Sequence, residues 1–159
     1  MLDLVFALSS GVVGGLIIAM MPKAGKRLRN IVTSIFCASG MIFSWRVSLK
    51  VFAGERIRLA GEIGGLPWSF DPDPLGVIFG LIASTLWVFA AVYSFGYMAD
   101  KQNQRTYYTF FLIASSVTLG VAFAGNLIAL YLFYELLTFA TYPLVIHERS
   151  PEAVKAGAK

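Results

Sequence analysis

Glu135 lies near the middle of the apolar run 126–146, and it is the one acid placed at such depth. Tyr131 stands four positions before it, Thr138 three after and Tyr142 seven after. On an α-helix those spacings share one face, so the run carries a polar stripe centred on a carboxylate. A charge at the bilayer centre costs about 2.5 to 3.5 kcal/mol on insertion scales, so an intramembrane acid is by default a functional hypothesis. Hydroxyls and water beside that carboxylate are the minimum for carrying a proton across hydrocarbon. A nearby movable cation would lower its proton affinity, and desolvation would raise it. The competing reading is a structural Glu hydrogen-bonded within a helical bundle. Pro143 removes a helical donor further along the run, either kinking it or being tolerated as membrane prolines often are. His147 lies roughly three turns beyond Glu135, at the membrane surface, where it either feeds protons inward or is a plain interfacial residue.

Few other chemistries fit. One His cannot give bis-His haem ligation, and no cysteine cluster, nucleotide-binding glycine motif or nucleophile triad is present. Cys37, the single cysteine, sits in an apolar stretch and reads as a small buried hydrophobe. No cofactor or metal site is expected, and the chain does no redox chemistry by itself.

The elements that must hold Glu135 are membrane helices. Of 159 residues, 57% are hydrophobic and 14% charged, and the mean hydropathy is +0.71, outside the range of water-soluble domains. At about 20 apolar residues per crossing there is room for about five crossings. The expectation is an all-α integral membrane protein forming a single transmembrane domain over 1–159. Its helices fall near 4–21, 30–51, 75–98, 107–124 and 126–146. A sixth, amphipathic or membrane helix starts at 151–159, where Ser150, Pro151 and Glu152 read as N-cap, first-turn proline and dipole-complementing acid.

The first run is followed by Lys23, Lys26, Arg27 and Arg29 and preceded only by Asp3, so it reads as a retained anchor rather than a cleaved signal. The positive-inside rule places that basic loop in the cytoplasm and the amino terminus outside. The net charge of +4 is thus read as topology, with no nucleic-acid partner. Trp45 and Arg46 read as interfacial anchors at the far end of the second helix. Residues 53–74 form the one substantial polar segment, and alternation near Arg56 to Leu59 with Gly61, Gly64 and Gly65 predicts a short external hairpin between helices 2 and 3. The carboxylates and prolines of 71–74 mark the start of the third helix. Gly125 and Asn126 alone separate the last two runs, which predicts a tight helical hairpin.

Three stretches in order resemble one family: FDPDPLG at 70–76, YSFGYM at 93–98 and NLIALYLFYELLT at 126–138. They are similar to the proton-antiporter-like membrane subunits of complex I, to the D subunit of Mrp-type cation/proton antiporters and to related subunits of membrane-bound hydrogenases. The resemblance runs from about Pro67 to Lys159, the amino-terminal portion of much longer proteins. It implies that Glu135 pairs with a Lys on a later helix and tunes proton transfer. It implies, as partners, other membrane subunits of an NADH:quinone oxidoreductase-like, Mrp-type or hydrogenase complex, with protons or sodium ions moved across a prokaryotic inner membrane. Two further readings stand beside it: a non-conducting scaffold subunit packed against a larger ion pump, and a quinone-binding subunit suggested only by the aromatics.

Overall fold

The computed structural model describes residues 1–21, 25–99, 101 and 103–145, with Ile63 described by its backbone alone. Lys23, His147 and the helix start at 151–159 lie outside these residues. Among them are five helices and one hairpin: α1 (Leu2–Met20), α2 (Lys26–Phe52), β1 (Leu59–Ile63), β2 (Leu66–Phe70), α3 (Pro74–Tyr97), α4 (Gln104–Ala122) and α5 (Leu127–Val145). Four of these, α1, α2, α3 and α5, are long and apolar enough to cross a membrane. The protein is a helical, multi-pass membrane protein.

The remaining helix, α4, opens with Gln104, Arg105 and Thr106 and faces protein along its length. Tyr108, Phe111, Leu112, Ala114, Ser116, Val117 and Leu119 are all buried. It packs against α1, α2, α3 and α5 alike, so hydroxyls can replace alkyl groups along it without meeting lipid. The length and apolarity that mark α1, α2, α3 and α5 do not mark α4, yet α4 runs from beside Ala99 at the end of α3 back to the level of Asp71 at the start of α3.

Backbone contact explains how α1 lies so close to α4. Gly11 and Gly15 stand four apart on α1, the small-xxx-small spacing that lets two helices approach without side chains between them. A Cβ at Gly11 would stand 2.1 Å from the Leu112 carbonyl oxygen. In the space it leaves, the Gly11 N–H donates to Ser116 Oγ at 2.7 Å. Two buried clusters fill the remainder, one of Leu4, Ala7, Val47, Val77, Leu119 and Phe123 joined by Ile57 and Phe70, the other of Ile18, Cys37, Ala91, Met98, Tyr108 and Phe111.

At the second cluster's end, the basic start of α2 fastens the α3–α4 connection. Lys26 donates to the Ala99 carbonyl and Arg29 to Gln104 Oε1, while the Arg29 guanidinium sits 5.2 Å from the Tyr108 ring centre. Gln104 in turn donates to the Ala99 and Lys101 carbonyls at 3.1 and 2.9 Å. Charges read from the sequence as topology markers therefore also tie down the α3–α4 connection.

The hairpin between α2 and α3 pairs Leu59 with Phe70 through Ile63 with Leu66. Gly64 and Gly65, at φ of 58° and 82°, supply the two positive-φ positions of a two-residue loop whose twist matches the strands. Its strands begin just beyond the Arg56–Ile57–Arg58 alternation. A two-stranded hairpin is marginal alone; here Phe70 enters the first cluster and its ring meets Phe133 of α5 edge-on at 5.1 Å. Asp73 caps α3 by accepting from Gly76 N at 2.6 Å, with Pro74 following at the first helical position.

Gly11→Ala tests the α1–α4 approach. Helix propensity favours Ala by about 1 kcal/mol, but overpacking against the Leu112 carbonyl opposes it by roughly 1 to 3 kcal/mol. The SDS-unfolding midpoint is expected to fall in Gly11→Ala and to hold or rise in Gly96→Ala, where a new Cβ meets open space.

Candidate functional site

Asn126 fixes the start of α5. Its side-chain Oδ1 accepts from Ala129 N at 2.9 Å, an N-cap bond, and from Ser69 N at 3.4 Å. Its Nδ2 donates to the Pro67 carbonyl at 2.9 Å. One side chain thus caps the helix and ties it to β2. The backbone on either side is tied as well: Gly125 N donates to the Ser69 carbonyl at 2.8 Å and Asp71 N to the Phe123 carbonyl at 3.2 Å, an isolated bridge pairing Phe70 with Ala124. The tight α4–α5 reversal expected from Gly125 and Asn126 is present, and it is stitched to the hairpin.

From that anchor α5 lays Ala129, Phe133 and Ala140 toward the bundle, Ala129 and Ala140 being buried and Leu144 reaching the second cluster. At about 100° per residue, positions 131, 135, 138 and 142 lie about half a turn away from that seam. The four polar residues predicted to share a face do share one, and it points out of the bundle. Tyr131 is 64% and Tyr142 42% exposed, Thr138 is exposed and Glu135 half-buried. The Thr138 hydroxyl donates to the Tyr134 carbonyl at 3.2 Å, leaving its oxygen lone pairs facing outward. Among the described residues, Glu135 has no ion pair and no hydrogen-bond donor. Pro143 lies within the last turn of α5 without ending it.

An apolar groove lies elsewhere on the same helix, about 340 Å³ lined by Leu66, Trp68, Phe70, Ile128, Ala129, Leu132 and Phe133. It holds no ionisable side chain and does not reach the stripe. No group of three or more His, Cys, Asp or Glu that could hold a metal occurs among the described residues. The chemistry available is that of one carboxylate with three hydroxyls.

Sequence reasoning missed an ionic cluster at the α1–α2 edge. Asp3 accepts from Arg46 Nε at 3.0 Å and Lys50 Nζ at 2.8 Å, so Arg46 is an ion-pair partner as well as a surface residue. An acid opening α1 and two cations a turn apart near the end of α2 fall at one level in antiparallel helices, which was the available signal.

Comparison with known proteins agrees with the resemblance. Residues 62–111 match the family described as NADH-Ubiquinone oxidoreductase (complex I), chain 5 N-terminus. Over 95 residues, 60% of this chain, the sequence is 32% identical to Na(+)/H(+) antiporter subunit A1 of Staphylococcus aureus strains JH9 and Newman, and spans 12% of that protein. The fold superposes, with a TM-score of 0.81, on a chain from the structure of the membrane-bound sulfane sulfur reductase, an archaeal respiratory membrane complex. That superposition covers 98% of this chain and 25% of the other at 21% identity. The family match ends within α4, so Glu135 rests on its own geometry.

Asn126→Ala removes the cap and both links to β2. It is expected to destabilise by about 1 to 2 kcal/mol and to raise hydrogen exchange at the amides of Ser69 and Ala129, while the amides of α2 stay protected. Uniform protection would show that the node does not hold the reversal.

Proposed function

We propose that this chain, similar in sequence and fold to antiporter-like membrane subunits, takes part in moving protons, or sodium ions against protons, with Glu135 as the ion-coupling carboxylate. The observation supporting this reading is the stripe on α5: a half-buried carboxylate with no cation or donor among the described residues, flanked by outward-facing Tyr131, Thr138 and Tyr142. Left against lipid, such a stripe is costly. A neighbouring helix bringing a cation would cover it and give Glu135 a partner whose approach and withdrawal change its proton affinity. Tyr131 and Thr138 would hold water beside the carboxylate, and His147 would relay protons at the membrane surface.

That neighbouring helix belongs to the rest of an ion-pumping membrane assembly, of complex I-like, Mrp or hydrogenase type. The S. aureus relatives are named as Na(+)/H(+) antiporter subunits, and the chain with the similar fold comes from a respiratory membrane complex. In the cytoplasmic membrane of a prokaryote, the basic start of α2 at Lys26, Arg27 and Arg29 would face the cytoplasm and the hairpin the outside. A cysteine placed at Gly64 is then expected to react with an impermeant maleimide added outside intact cells. Labelling from the cytoplasmic side alone would invert the topology.

Glu135→Gln keeps shape and most hydrogen bonding but removes ionisation. It is expected to assemble normally while reducing transport, in vesicles and per assembled complex, by at least about tenfold, with Glu135→Asp retaining part of the activity. A scaffold role predicts the opposite: Glu135→Gln would transport fully, and Glu135→Ala would lose assembly rather than transport.

A further inference from the structure

The ionic cluster of α1 and α2 is unbalanced. Asp3 is buried, 6% exposed, and each of its carboxylate oxygens is held by one cation, Arg46 or Lys50. One negative charge against two positive leaves a surplus of about one unit. The Arg46 side chain is 58% and that of Lys50 37% exposed. Arg46 meets Asp3 through Nε, so the two terminal guanidinium nitrogens, the pair suited to a phosphate, face outward without an acceptor among the described residues.

Depth and surroundings bear on which anion would suit these two cations. Phe52 ends α2, so Lys50 lies about 3 Å and Arg46 about 9 Å along the axis from that end, the level of lipid headgroups and the upper hydrocarbon. One turn further inward, Phe6 follows Asp3 on α1 and Phe43 precedes Arg46 on α2, and their rings stack at 5.0 Å between centres. Along the same stretch of α2, Ile42 and Leu49 are exposed. A charged head above a stacked aromatic floor matches an anionic phospholipid with its chain, and Phe6 and Phe43 are not the small residues at which membrane helices pack closely. The edge is also separate from the Glu135 stripe, since α5 packs on α4 and β2.

We infer that the α1–α2 edge is a binding site for one anionic phospholipid, its phosphate taken by Arg46 and Lys50 and an acyl chain laid over Phe6 and Phe43. Asp3 holds both cations in place and keeps the site from being purely cationic when no lipid is bound. The inference does not depend on the role of Glu135.

The test uses the chain purified within its membrane assembly and native mass spectrometry after exchange into phosphatidylglycerol or phosphatidylcholine of identical chains. Phosphatidylglycerol is expected to be retained preferentially. Arg46→Gln and Lys50→Gln are each expected to lower that preference by about fivefold, without changing retention of phosphatidylcholine, and Lys50→Arg to keep it. Rescue by Lys50→Arg separates a headgroup contact from general misfolding. Equal retention of the two lipids, or an unchanged preference in the Arg46→Gln/Lys50→Gln double variant, would overturn the site. So would displacement of the lipid by millimolar inorganic phosphate, which would mark a free-anion site. A photo-crosslink from position 46 to a partner protein with no phosphatidylglycerol retained would assign the edge to that protein instead.

Discussion

Backbone N–H and C=O groups withdrawn from water must find partners within the protein, and the reversal between α4 and α5 sets that demand where two helix ends meet. Helices satisfy their own interiors but leave orphan groups at each end. Between Phe123 and Leu127 two such ends meet. The structure answers by laying the hairpin edge alongside, so that Gly125 N, the Phe123 carbonyl and the Asn126 side chain all bond to residues 67–71. Approach this close needs Gly125, whose Cβ would stand 2.7 Å from Asp71 N. The direction of α5, and hence the face on which Glu135 stands, follows from this junction.

The junction also accounts for the lopsided packing of α5. It is held at its start by polar bonds and along one side by Ala129, Phe133 and Ala140, and its opposite side is left open. Small residues on the inner side let the helix sit close to α4 without wrapping into the bundle. Polar groups on the outer side are therefore available to another surface. In α4 the arrangement is reversed, with Ser116 and Thr109 buried among neighbours. Two adjacent helices thus use hydroxyls differently, one for internal packing and the other for an outward face.

Much of this was legible in the sequence. The apolar runs located the helices, Asp73 and Pro74 marked the start of α3, the paired glycines marked the hairpin turn, and helical spacing gathered Tyr131, Glu135, Thr138 and Tyr142 on one face. Periodicity shows that a face is polar without showing which neighbour it meets, so the outward direction of the stripe needed the packing of Ala129 and Phe133. The Asp3 cluster stayed hidden because Arg46 beside Trp45 has the ordinary look of an interfacial anchor, and its partner lies 43 positions earlier in the chain. The bonds from Asn126 to Pro67 and Ser69 were hidden for the same reason. Gly11 and Gly15 were visible, but their use in meeting a carbonyl of α4 depends on which helix lies opposite.

The composition of α4 bears on how the chain is made. A segment opening with Gln104, Arg105 and Thr106 and carrying buried hydroxyls gains little by moving into lipid on its own. Its polar groups are matched instead by α1, through the Gly11 N–H at Ser116 and the bare backbone around Gly11 and Gly15. Because α1 precedes α4 in the chain, its glycine face is made before the helix that packs against it. A defect in the glycine face of α1 is therefore expected to show as delayed release or degradation of the nascent chain.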